Sequence, residues 1–343
     1  MYKSIALLAT AICLASCVRV GESDTPLPPL EDGASARLHI SIPGPDTKSV
    51  TGDELSSLQI LIYDDSGILE NGTYSREWNG GLDFTLSVGQ KTLCLVANAP
   101  ELRSVGSLNS LRQITFDYSE NIPASSGGIL MTTSVTKTVT AGDNTCSANL
   151  SRRASRIVLA PVDISGMNSA LAAKVSFRAA FLINVRSRIK FDGQEAATAG
   201  SYLYKAGCDS GGRPIEALSG NGAFWWNGLD CVISGDLTSE GATLLCFANN
   251  FDGQSADYAG TDPSAFSVSR TRLVVEAVTD SGEVWYYPVS LPAPLRDNYS
   301  YEVHLSVSGP GSDHPNVAPE YDNYSASLVI KDWTGGATYT EIL

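Results

Sequence analysis

Apolar and polar residues alternate over short runs, and turn-forming residues close each run. In Arg37-Leu38-His39-Ile40-Ser41-Ile42 the alternation is strict, with Leu38, Ile40 and Ile42 on one side and Arg37, His39 and Ser41 on the other. A period of two marks a strand with one face buried and one face in water. Residues 44–54, GPDTKSVTGDE, interrupt it with Gly, Pro and Asp. The run LQILIY at 58–63 predicts the next strand, closed by the turn Asp64-Asp65-Ser66-Gly67. Further strands are predicted at 82–88, 91–98, 128–133 and 135–140, then at 156–163, 174–191, 243–249, 271–279, 284–290 and 299–307. Residues 104–113, where Val105, Leu108 and Leu111 recur every third position, read as a short helix. Many short strands at short intervals predict an all-β chain built of β-sandwiches.

The first residues differ in kind. Lys3 precedes an apolar run, Ile5 to Leu14, that is too short to span a bilayer. This is the layout of a secretory signal peptide. The ending Leu14-Ala15-Ser16-Cys17 resembles the lipobox of bacterial lipoproteins. The resemblance implies cleavage before Cys17, a diacylglycerol on its thiol and an acylated new N-terminus, and two or more acyl chains anchor a protein durably. Val18 follows in place of an acidic residue, which in the common bacterial sorting rule permits the outer membrane. The expected organisation is a signal peptide at 1–16, a solvated Pro-rich linker at 17–33, one sandwich domain at 34–150 and a second at 151–343. The boundary is placed near NLSRRASR, residues 149–156.

A net charge of −14 argues against nucleic-acid binding, which needs a basic footprint. His39, His304 and His314 are scattered; His304 reads as a surface strand residue and His314 as a solvated loop residue. Beyond Cys13 and Cys17 there are five cysteines, Cys94, Cys146, Cys208, Cys231 and Cys246, an odd number that leaves at least one unpaired within the chain. No C-x-x-C occurs and no histidine lies at ligand spacing, so no metal site is expected. Cys94 and Cys246 sit in apolar runs and read as buried thiols; a Cys208–Cys231 disulfide stays open. Neither G-x-S-x-G nor a phosphate-binding glycine loop is present, and the chain is expected to be no enzyme and to carry no cofactor. Asp64 and Asp65 are turn formers without calcium-loop order. Trp225 and Trp226, adjacent in sequence, would point to opposite faces of a strand; the sharper reading has one of them stacking a sugar. Arg152, Arg153 and Arg156 form either a charged edge or an exposed protease site between the domains.

The order of segments resembles the fimbrillins, the FimA-like subunits of type V pili. The likeness runs through the lipobox at Cys17, GASARLHISI (33–42), SSLQILIYDDSGILE (56–70), GQKTLCLVANAP (89–100), ILMTTSVTKTVTAGDN (129–144), RRASRIVL (152–159), WYYPVSL (285–291), RDNYSYEVHLSVSGPGSDHPN (296–316) and SLVIKDW (327–333). Residues 192–260 match no pattern of the family.

The resemblance implies two transthyretin-like β-sandwiches, no enzyme activity, and a cell-surface fimbrium tethered to the outer membrane. It implies a maturation cut in the loop after the first strand, here 36–43, by a trypsin-like protease. The strand with Leu38, Ile40 and Ile42 then leaves, and a C-terminal strand of another copy or a related pilin fills the gap. The family's cut usually follows an arginine; this loop offers only Lys48, before Ser49. The donor is either the tail 334–343, with Ala337, Tyr339, Ile342 and Leu343 as anchors, or a segment that includes 326–333. A missing arginine suits an uncut anchor or tip subunit, and an apolar tail suits a polymerising shaft subunit. The reading from another class is a monomeric surface lipoprotein that binds glycans through Trp225 or Trp226.

Overall fold

A computed structural model describes residues 35–42, 55–77, 80–117, 128–186, 188–193, 232–249, 270–315, 317–333 and 338–342. The signal segment, Cys17, the linker, Lys48, Ser49, Cys208, Cys231, Trp225, Trp226, Ala337 and Leu343 lie outside the described residues.

The first half of the chain forms β1 (Ser35–Ser41), β2 (Leu58–Tyr63), β3 (Leu69–Ser75), β4 (Gly81–Ser87), β5 (Gly89–Ala97), the helix α1 (Leu108–Gln113), β6 (Thr115–Asp117), β7 (Met131–Val139), β8 (Gly142–Ser147) and β9 (Ser151–Arg152). Two sheets face each other, one ordered β4-β1-β8 and the other β3-β2-β5-β7-β9. The alternation of each strand builds the layer between them. Ala36, Leu38, Ile40 and Ile42 meet Leu58, Ile60, Ile62, Leu93, Leu95 and Ala97 from the opposite sheet. Strand β2 is buried at every position because its other face, with Leu61 and Tyr63, lies in a second core with Val105 and Leu111. That is why its run, apolar except for Gln59, does not alternate.

The second half adds β10 (Ser155–Leu159), the short helix α2 (Ser169–Ala172), β11 (Val175–Ile183), β12 (Arg188–Lys190), β13 (Val232–Ser234), β14 (Ala242–Cys246), β15 (Arg272–Thr279), β16 (Val284–Ser290), β17 (Tyr299–Val307), β18 (Tyr324–Asp332) and β19 (Thr338–Ile342). Its sheets are ordered β14-β10-β17-β18-β19 and β13-β11-β15-β16. Phe177, Phe181, Tyr287, Tyr301, Val303 and Leu328 fill the second core. Burial pushes the Tyr301 phenol up to about 12.

The two halves are tied by more than the covalent link. Strand β6 pairs with β12, Phe116 opposite Ile189. The Thr132 hydroxyl donates to the Phe191 carbonyl at 3.0 Å. Arg153 donates to Thr132 Oγ1 at 2.6 Å and to Asp297 Oδ2 at 2.9 Å. Arg152 donates to Asn298 Oδ1 at 3.1 Å. The guanidinium groups of Arg152 and Arg156 lie over the Trp333 indole, 5.1 and 5.0 Å from its centroid, within cation–π range. The basic cluster is therefore a joint. Arg152 is 8% exposed, which corrects the reading of this segment as an exposed protease site.

Other departures have local causes. The strands expected at 128–133 and 135–140 are one strand, β7. The run expected at 174–191 stops at Asn184, whose φ of +57° ends β11. Strands β3 (LENGTYS) and β8 (GDNTCS) were not expected, because polar residues dominate both. His314 is buried, not solvated: Ser312 bridges to Tyr286, which draws the loop onto β16. His304 is half exposed, with Nε2 3.3 Å from Glu302 Oε1. Cys94, Cys146 and Cys246 are buried free thiols.

Candidate functional site

Strand β1 is the middle strand of its sheet. It runs antiparallel to β4, with Leu38 opposite Phe84 and Ile40 opposite Leu82, and parallel to β8, with Leu38 beside Asn144 and Ile40 beside Cys146. Leu38 and Ile40 are fully buried and Ile42 is 4% exposed. Burying three such aliphatic side chains contributes about 5–8 kcal/mol before ordering costs. Without β1, β4 and β8 are two separate strands, each presenting unpaired N–H and C=O groups to the gap. Such edges are templates for strand addition.

The outward face of β1 is polar. His39 Nδ1 lies 2.8 Å from Asp83 Oδ1 on β4, and the imidazole covers Gly81. Arg37 stands in register between Thr85 on β4 and Asp143 on β8. The Asn144 side-chain amide donates to the Arg37 carbonyl at 3.3 Å. Beyond the end of β8, the Ala148 N–H donates to the Ser41 carbonyl at 3.0 Å. The inward side of β8 supplies Cys146, which packs in the same core as Leu38 and Ile40. Burial pushes its thiol up, against an opposing pull from Lys137.

The end of the seat where β1 begins is braced by an ion pair whose lysine is buried. Lys91 Nζ lies 2.6 Å from Glu70 Oε2 and donates to Ser87 Oγ at 2.8 Å; its side chain is 2% exposed. Ser87 in turn stands in register with Ser35. Burial pulls the Glu70 carboxyl up, but its hydrogen bonds with Lys91 and Ser87 together outweigh that and hold it below the ordinary glutamate value. Glu70→Gln is expected to lower stability by about 2 kcal/mol at neutral pH, because it leaves a buried ammonium without its counter-charge. A carboxyl whose pKa is depressed in the folded protein contributes stability above its unfolded pKa and loses it as pH falls through the folded value. Urea unfolding of both proteins at neutral pH and in acid is therefore expected to show the gap narrowing in acid.

Strand β19 pairs antiparallel with β18, Tyr339 opposite Ile330 and Ile342 opposite Ser327, and forms the edge of its sheet. Strand β18 has β17 on one side and β19 on the other. The alternative donor 326–333 is therefore an interior strand, and its release would break two ladders and expose Leu328.

Sequence reading found Leu38, Ile40 and Ile42 but missed the walls that receive them. Phe84 and Leu86 were legible in the alternation of LDFTLSV. Cys146 was not, since β8 has a single apolar residue among polar ones. Among the described residues no group of His, Cys, Asp and Glu could hold a metal ion.

No family model and no curated protein matches the sequence. Solved structures do match the fold. A fimbrilin from Porphyromonas gingivalis superposes with a TM-score of 0.62 at 15% identity, covering 88% of this chain and 98% of that one. A candidate cell adhesion protein from Bacteroides eggerthii gives 0.60 at 15% identity, covering 88% and 97%. A C-terminally truncated tip fimbrial protein from P. gingivalis gives 0.52 at 13% identity, covering 87% and 100%. The chain has the all-β fold of the fimbrillins over 88% of its length.

Proposed function

We propose that this chain is a structural subunit of a cell-surface fimbria that supports adhesion. It is exported as a lipoprotein anchored through Cys17 and polymerises by strand exchange. Cleavage after Lys48 leaves Ser49 as the new N-terminus and frees β1 with the lipid. A strand from another copy or from a related pilin takes its place between β4 and β8. The observation that carries this reading is the central position of β1, paired on both sides and buried on one face, yet joined to the rest of its sandwich only through residues 43–54. The fimbrial neighbours in fold support the same role.

Donation by the tail requires β19 to leave β18. Because β19 is an edge strand, that breaks one ladder. Lys48→Ala tests the cut. Cells carrying it are expected to accumulate the lipidated form beginning at Cys17 and to lose fibres from the surface. Fibres of normal yield from Lys48→Ala would rule out Lys48 as the release site. The absence of arginine from residues 43–54 favours a second reading, an anchor or tip subunit that keeps β1. It predicts lipidated protein at the fibre base or end and no released form.

A further inference from the structure

The two strands that flank β1 run antiparallel to each other, since β1 is antiparallel to β4 and parallel to β8. Any strand placed between them, in either direction, makes one parallel and one antiparallel ladder. The backbone therefore selects neither the direction nor the sequence of an occupant. Selection falls to the side chains.

Inward, the seat takes alternate small and aliphatic residues, as Ala36, Leu38, Ile40 and Ile42 show. Outward, it is acidic. Strands β4 (GLDFTLS) and β8 (GDNTCS) carry Asp83 and Asp143 and no cation. In the intact chain β1 sets a guanidinium and an imidazole on this face. His39 bonds Asp83 at 2.8 Å, and Arg37 stands in register with Asp143. When β1 leaves, both carboxylates remain on the rims of the gap.

The chain's own tail answers them poorly. With Thr338, Thr340 and Ile342 inward, Glu341 stands outward beside Asp83 or Asp143. With Ala337, Tyr339 and Leu343 inward, Glu341 is carried into the core without a partner, a cost that surface pairing does not offset. Residues 334–343 contain no cation at all.

We infer that Asp83 and Asp143 make the β1 seat selective for a donor strand from a different, related subunit, one with aliphatic inward residues and cationic outward residues. This rests on the strand-exchange reading and names the partner class for it. A fimbria assembled this way has a fixed neighbour order, set by which tails carry outward cations.

The test uses the full chain with a protease site placed in residues 43–54. The nicked protein is offered labelled peptides at low salt. They carry residues 35–42, the same with Arg37→Glu and His39→Glu, residues 334–343, and the same tail with Glu341→Lys. The native 35–42 peptide is expected to hold about tenfold more tightly than its glutamate variant, the sum of two surface pairs turned from attraction to repulsion. The gap is expected to shrink as salt is raised, and Glu341→Lys is expected to improve the tail. On the Asp83→Lys/Asp143→Lys protein the order reverses; if that protein does not fold, the peptide variants on the unaltered protein still decide. Equal binding of the charge variants at low salt would overturn the inference and leave strand exchange standing. A native tail that holds as tightly as the 35–42 peptide would also overturn it, and would name a second copy as the donor. Failure of every peptide, the native 35–42 included, would overturn the strand-exchange reading and this inference with it.

Discussion

Alanine at Leu38 or at Ile40 is expected to destabilise the first sandwich by about 2–5 kcal/mol each, the range for removing a fully buried aliphatic side chain. Both residues have no exposure, and both pack against the opposite sheet through Leu58, Ile60, Leu93 and Leu95. Neighbouring cavities merge, so the double variant need not equal the sum. It still removes much of the 5–15 kcal/mol that holds a typical domain together. His39→Ala, one residue away on the outward face, loses only a half-exposed pair and is expected to cost under about 1 kcal/mol. Urea denaturation of the three single variants reads the contrast. A similar loss in all three would mean that β1 is held by its backbone alone, and that the aliphatic stripe does not define the seat.

The second large effect is chemical. Cys146 lies beside Ile40 on β8, 7% exposed, with a thiol pushed up by burial. In the intact chain it is expected to resist alkylation, since the thiolate is the reactive form and its access requires opening of the sheet. Once a nick in 43–54 lets β1 leave, its alkylation rate is expected to rise at least about a hundredfold. Refilling the gap with a donor strand should close it again. Two internal controls remain silent throughout. Cys94 lies in the other core, its Sγ 3.6 Å from Ser134 Oγ, and Cys246 is fully buried on β14. Peptide mass spectrometry after labelling separates the three. Equal labelling of Cys94, Cys146 and Cys246 after nicking would mean general unfolding, not the loss of one strand.

How much of this was readable beforehand depends on where each residue's partner lies. Strands that contrast apolar with polar residues, such as 37–42 and 299–307, carry their own period and are legible alone. Strands β3 and β8 are not. They are stabilised by neighbours, Ile60 opposite Thr73 in one case and Ile40 beside Cys146 in the other, and their own residues are mostly polar. The same limit hid the site. Leu38, Ile40 and Ile42 announce a buried strand, but only the sheet order shows that β1 is central and that its removal opens a gap with two walls. The arginines at 152, 153 and 156 looked exposed because charge usually is. Their partners, Thr132, Asp297, Asn298 and Trp333, lie 21 to 181 positions away in sequence and meet them only in the fold.

The most direct test of the central claim is the composition of the fibre itself. Fimbriae sheared from intact cells are digested and their peptides identified beside those of the protein left in the outer membrane. Strand exchange predicts that residues 35–42 are missing from the fibre and present in the membrane form, with the fibre chain beginning at Ser49. Fibre subunits that retain residues 35–42 in full amount would contradict it, because a seat still filled by β1 has no place for a donor strand.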